Sequence, residues 1–327
     1  LCGWTGQPTD CVEPRLALQL VHEAAVCSTG IRAERTLQQR GGFELANGLP
    51  FVAADVPIHH LLQAHTVADS QRLQVTLGKL RRASGHFCGK LLAIDPHRVL
   101  SYSKRQMRKR VEKGEGRPFK QAQTFWVLDA DTSQPVCFTT ATASRDVTVA
   151  TAELMDLVEA ILQPTPGQTL VLADSEHFSA ELIGDIHRRT GLNFVVPLPS
   201  RKSYRDAYQA LPEEQFTRQW AGYATAKLPF EFKHRRRGTY YQFVERFGES
   251  RGDCTYHGFL STSDREEVDT LTHDYPMRWH VEEFFNAHQA LGWNRAGTMN
   301  LNIRYGQVTM ALIAQTVIHQ LRRRLGT

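Results

Sequence analysis

Two apolar runs of this chain stop at an acid: LLAID closes on Asp95 and TLVLAD on Asp174. A third acid, Glu282, lies in the later segment DYPMRWHVEEFFNAHQALG, and the three are separated by 79 and then 108 residues. Acids at the carboxyl ends of strands in an open α/β sheet converge on one site even when far apart in sequence. Three carboxylates gathered at about 4 Å repel by about 4 kcal/mol per pair at an effective dielectric near 20, a cost that a divalent cation between them removes. Hard oxygen donors point to Mg²⁺ or Mn²⁺, and two such ions about 3.5 to 4 Å apart suit in-line displacement at a phosphodiester. Asp129 and Asp131, at the end of the run TFWVLDAD, are rival candidates for the first acid.

The element that carries Glu282 favours the first assignment. Tyr275, Arg278, Glu282 and Gln289 stand at offsets of 0, 3, 7 and 14. At about 100° per residue a helix brings all four within about 60° of one another, as a single polar stripe. Met277, Val281, Phe284 and Phe285 fall on an adjoining apolar face that predicts packing on a sheet, and Glu283 points elsewhere.

Tyr275-x-x-Arg278-x-x-x-Glu282, with the strands ending at Asp95 and Asp174, resembles the Y-R-E-K signature of bacterial insertion-sequence transposases of the DDE superfamily. The resemblance covers about residues 86 to 327 and implies a ribonuclease-H-like core. It implies Asp95, Asp174 and Glu282 as the catalytic, metal-binding triad, and Tyr275 and Arg278 as phosphate contacts near a cleaved transposon end. At the position where the family pattern has Lys this chain has Gln289, a neutral amide in place of a charged contact with DNA. The activity implied is hydrolysis at transposon ends followed by transfer of the freed 3′-hydroxyl to target DNA. A nuclease that shares the core without strand transfer, and a catalytically impaired DNA-binding derivative, are the alternatives.

Charge supports a nucleic-acid partner. The chain has 327 residues, with 39 Lys and Arg against 34 Asp and Glu for a net charge of +5. Between Arg98 and Lys120, however, nine cations meet two acids. Such a run releases phosphate counterions on binding, so Lys104, Arg105, Arg108 and Arg110 are candidate contacts to double-stranded DNA. A homodimer on DNA is the expected assembly. No stretch approaches the roughly 20 apolar residues of a membrane span. Six scattered cysteines and a start without a signal peptide predict a cytoplasmic protein, and the resemblance to bacterial transposases implies a nucleoid-associated one. The chain opens on Leu1 and not on Met, as expected of a fragment boundary.

The elements that must position these groups follow from periodicity. Apolar residues at helical spacing predict helices at 16–26, 70–80, 147–162, 180–190, 274–292 and 302–321. Apolar or alternating runs predict strands at 91–95, 124–131, 135–143, 169–174 and 193–199. The fold class is therefore α/β, with a β-rich insertion and a helical N-terminal region, and the resemblance implies that its core is a ribonuclease-H-like mixed sheet flanked by helices. The expected organisation is a DNA-contacting region at 1–85, the first part of the core at 86–199, the insertion at 200–271 and the final helices at 272–327.

Overall fold

The computed structural model describes residues 55–111, 116, 118–232, 235–249, 252–288, 295–298 and 300–326. The sequence-predicted helix at 16–26 and Gln289 lie outside them. At the centre is a mixed sheet in the order β4-β3-β1-β5-β6. Its strands are β1 (Leu91–Ser101), β3 (Pro118–Asp129), β4 (Gln134–Thr142), β5 (Leu170–Ala173) and β6 (Asn193–Pro197), with a short β2 (Lys109–Val111) on the far end of β3. The first three strands of the core run antiparallel, whereas β5 and β6 lie parallel to β1. This is the ribonuclease-H-like arrangement expected from the sequence.

Alternation along β1 assigns its side chains to two cores. Leu92 and Ile94 belong to one, with the helices α3 (Val147–Leu162) and α4 (Ala180–Thr190). Leu91 and Ala93 belong to the other, under the last two helices, and Asp95 and His97 share their parity. Both α3 and α4 have the bounds that periodicity predicts. Asp146 caps α3 by accepting from the Thr148 amide, and α4 stops at Gly191, whose φ of 70° is left-handed and whose absent side chain admits Pro166.

Two helices precede the sheet, α1 (Asp55–Ala64) and α2 (Val67–Ala83), the latter opened by a Thr66/Asp69 capping box. The closing helix, α7 (Leu301–Leu325), runs past the predicted end, and its Gly306 lets Leu62 of α1 approach to where a Cβ would be 2.7 Å away.

Between β6 and the late helices come α5 (Lys202–Gln209) and the strands β7 (Thr217–Trp220), β8 (Tyr223–Phe232), β9 (Arg235–Phe247) and β10 (Thr255–Ser261). They continue the core sheet, because β10 pairs antiparallel with β6, Phe259 opposite Pro197.

The helix that carries Glu282 begins earlier than predicted and changes pitch. An α turn (Glu267–Asp269) passes into a π turn (Thr270–Asp274), a 3₁₀ segment (Tyr275–Trp279) with Pro276 in its first turn, and an α segment (His280–His288). The joints at Thr270, Tyr275 and His280 keep right-handed helical dihedrals, so this is one continuous rod, α6. Its Val281, Phe284 and Phe285 are buried in the second core, with Met277 packed against it and Glu283 exposed, as the stripe predicts.

Candidate active site

Asp95 is not the last residue of its strand, because β1 continues to Ser101. What ends beside it is the parallel neighbour: β5 pairs with β1 only as far as Ala173 opposite Ile94. Asp95 and Asp174 are thus the first residues beyond the shared ladder, Asp95 still within β1 opposite Trp126 of β3 and Asp174 leaving β5. Asp174 leaves β5 into a three-residue 3₁₀ turn (Ser175–His177), which it caps by accepting from the Glu176 amide.

The parity of Asp95 aims it at α6. Arg278 is there, with Nη1 3.5 Å from Asp95 Oδ2 and Nη2 3.1 Å from Glu282 Oε1. Tyr275 stands three residues before Arg278, and the 3₁₀ pitch superimposes positions i and i+3. Its hydroxyl donates to the Ala173 carbonyl at 3.2 Å, one residue before Asp174. Tyr275 thus ties α6 to β5 and Arg278 ties it to β1, while Glu282 is held by Arg278 within the helix.

Burial is the main reason that the Asp95 carboxyl is pushed up to about 7; Arg278 pulls it back, and Asp174, Glu282 and Glu176 push it further. Burial also opposes the charge on Arg278, but Tyr275, Asp95 and Glu282 outweigh it and hold the guanidinium above its ordinary value. Burial likewise raises the Tyr275 phenol to about 12 and keeps it a donor.

Asp95, Arg98, Arg110, Glu176, Glu282 and Asn286 line a cavity of about 590 Å³ that opens to solvent. His97 lies on its wall, stacked on Phe285 at 4.5 Å and depressed to about 4 by burial. Among the described residues no three His, Cys, Asp or Glu side chains close around one point. Between Asp95 and Glu282 the protein supplies a guanidinium. The oxygens beside it, on the half-buried carboxylates of Asp95 and Glu282, are hard donors of the kind Mg²⁺ and Mn²⁺ take, two acids around a position that already holds positive charge.

The family profile described as Transposase DDE domain matches residues 65–317. The chain belongs to this transposase family. No curated protein matches it. Among solved structures it is similar to the piggyBac transposase synaptic complex with hairpin DNA, at 11% identity over 71% of this chain and 47% of that one, with a TM-score of 0.47. It is also similar to the Mos1 transposase paired-end complex with left transposon end, at 12% identity over 53% and 58% of the two chains and a TM-score of 0.23. A Mos1 mariner paired end complex with Mn matches at 11% identity, over 56% and 60%, with a TM-score of 0.23. The chain spans about half the length of these proteins.

In this transposase domain the rival acids do structural work. Asp129 is fully buried, accepts from the Gly89 amide at 2.7 Å and from the amide and hydroxyl of Thr132 at 3.0 and 2.9 Å, and faces Leu92 near the start of β1. Asp131 accepts from the Leu91 amide. Of the predicted DNA contacts, Lys104, Arg105 and Arg108 are exposed around the start of the β2–β3 hairpin, whereas Arg110 is half-buried and reaches the cavity. Lys120 donates to the carbonyls of Ser103 and Arg105, both at 2.8 Å, and so shapes the loop that presents them.

Sequence reasoning missed Arg98 and Glu176, which face each other in the site. Their spacing, three and two residues beyond the candidate acids, was the available signal. His177 is buried and bonded to Thr151 at 2.8 Å.

Proposed function

We propose that this chain is the catalytic part of a DNA transposase that hydrolyses phosphodiesters at transposon ends and passes the freed 3′-hydroxyl to target DNA. One observation carries the reading. Asp95 and Glu282, 187 residues apart, share one cation, and Asp174 is near enough to raise the Asp95 carboxyl. Nothing in a structural role calls for gathering acids at the unpaired end of a parallel ladder.

In the mechanism we propose, Asp95, Asp174 and Glu282 hold Mg²⁺ or Mn²⁺, two ions in the finer reading. Bound there, such ions lower the pKa of an attacking water and neutralise charge on the leaving oxygen. The chain's own residues do the rest. Tyr275 keeps α6 in register with β5, which holds Glu282 and Asp174 on facing elements, and Arg278 balances the charge of Asp95 and Glu282 until a cation does so. The cationic loop at 104–110 holds the DNA backbone, and Arg110 reaches from it towards the acids. With a cation held by these acids, Arg278 would be free to contact a phosphate. Double-stranded DNA, a homodimer on paired ends and a cytoplasmic, nucleoid-associated setting complete the proposal.

The test is a plasmid carrying the element's ends, incubated with the protein and Mg²⁺. Joining of ends to a target supports the proposal, and hydrolysis without joining favours the nuclease alternative. Glu282→Gln removes one ligand and one negative charge near phosphate, so it should abolish nicking while DNA affinity holds or rises. Nicking by that variant at the parent rate overturns the site assignment.

A further inference from the structure

Three carboxylates line the cavity, and one of them, Glu176, is outside the proposed triad, whose third member Asp174 is not part of the lining. Glu176 lines it together with Asp95 and Glu282, and its charge reaches Asp95. A fourth acid beside a metal site is either a further ligand or a brace for one. The hydrogen bonds decide between them.

Both oxygens of Glu176 are engaged by one partner: Arg98 Nη1 donates to Oε1 at 3.0 Å and Nη2 donates to Oε2. A bidentate pair of this kind fixes orientation as well as distance. Arg98 is itself held, its Nε donating to Gln123 Oε1 at 3.3 Å from the neighbouring strand β3. Gln123 is fully buried and donates to the carbonyls of Thr142 and Arg145, at 2.8 and 3.2 Å. The chain of contacts therefore runs from the end of β4 through β3 and β1 to the turn after β5.

That turn needs a brace. Strand β5 has four residues, its pairing with β1 stops at Ala173, and the 3₁₀ turn that follows has three. Asp174 thus stands outside the ladder. Tyr275 holds the turn at Ala173 and Thr151 holds it at His177. The side that faces the cavity is held by Glu176.

We infer that Glu176 is a positioning residue for Asp174 and not a metal ligand: its pairing with Arg98 fixes the turn that presents Asp174 and keeps the fourth carboxylate out of the donor set. This rests on the metal-site reading above. Partners outside the ligand shell of this kind change metal affinity by about tenfold or more when lost.

The two roles predict opposite signs for one substitution. If Glu176 were a ligand, Arg98→Gln would release it to the metal and tighten binding. As a positioning residue it loses its hold, and binding weakens. The experiment titrates Mn²⁺ into the full chain, reading free Mn²⁺ by electron paramagnetic resonance, for the parent, Asp174→Asn, Arg98→Gln, Glu176→Gln, the double Arg98→Gln/Glu176→Gln, and the exchanged pair Arg98→Glu/Glu176→Arg. Thermal melts accompany each titration. The expected result is that Arg98→Gln and Glu176→Gln each weaken Mn²⁺ binding about tenfold, and that the double weakens it no further, as for two ends of one interaction. The exchanged pair should recover most of the loss and keeps the test decisive if a single variant melts early. Tighter binding by Arg98→Gln, additive losses in the double, or parent-like affinity in both single variants overturns the inference while leaving the metal site standing. An Asp174→Asn variant that binds Mn²⁺ as the parent does overturns the metal-site reading, and this inference with it.

Discussion

The guanidinium of Arg278 bridges Asp95 and Glu282, 3.5 Å from the first carboxylate and 3.1 Å from the second. Two acids 187 residues apart in sequence thereby share one cation, which stands four positions before one of them. A divalent cation that binds between these acids competes with that residue.

Arg278→Gln should therefore separate stability from metal affinity. Without metal, the variant leaves two partly buried carboxylates unpaired and should lose about 2 kcal/mol of stability. Its affinity for Mn²⁺ should rise, because no resident cation has to leave. Melting curves recorded with and without Mn²⁺ check both parts, and a metal-induced rise in Tm smaller than the parent's counts against the competition.

Asp95 makes stability depend on pH in a stated direction. Its carboxyl is pushed up to about 7 in the folded protein, against an ordinary value of 3.8. The folded state thus holds a proton that the unfolded state releases between those values. The stabilising contribution is fully present below pH 3.8 and is lost as pH rises through about 7, a difference on the order of 4 kcal/mol. Asp95→Asn abolishes this titration. In metal-free buffer the variant should exceed the parent in denaturant midpoint at pH 8 and match it near pH 4; an equal gap at both values would contradict the assignment.

The exposed cations of the 104–110 segment should act through phosphates. Neutralising Lys104, Arg105 and Arg108 together should weaken DNA binding for every sequence and reduce the salt slope by roughly one unit per lost contact. Arg110 alone, which reaches the cavity, should slow cleavage more than it weakens binding. Fluorescence anisotropy across a salt series reads the first effect and single-turnover nicking the second. An unchanged slope would mean that this segment is merely solvated.

Asp129 should matter to folding and not to metal. Asp129→Ala leaves the Gly89 and Thr132 amides without their buried acceptor and should cost about 3 kcal/mol. Mn²⁺ affinity, measured below the variant's melting range, should equal the parent's. A loss of metal binding would restore Asp129 as a candidate first acid.

Local patterns determined much of this protein from sequence. Helices 147–162 and 180–190 are legible because each apolar face repeats at helical spacing between a capping residue and a breaker, all within a few residues. The stripe of Tyr275, Arg278 and Glu282 survives even the change to 3₁₀ pitch, since i+3 and i+4 neighbours stay on one side of either helix. Only the tertiary structure decided which acids share a partner and which are tied into turns. Asp95 looked like a strand end and is mid-strand; the parallel partner, not its own strand, stops beside it. Asp129 was a plausible rival until its oxygens were found capping the turn that enters β1. Arg98 and Glu176 each follow a candidate acid closely, but nothing in the sequence marks them as a pair, because they lie 78 residues apart, on β1 and in the turn after β5. Side-chain direction is set by the nearest few residues, whereas the partner that a charged group finds is set by how distant segments pack, and no spacing along the chain encodes that.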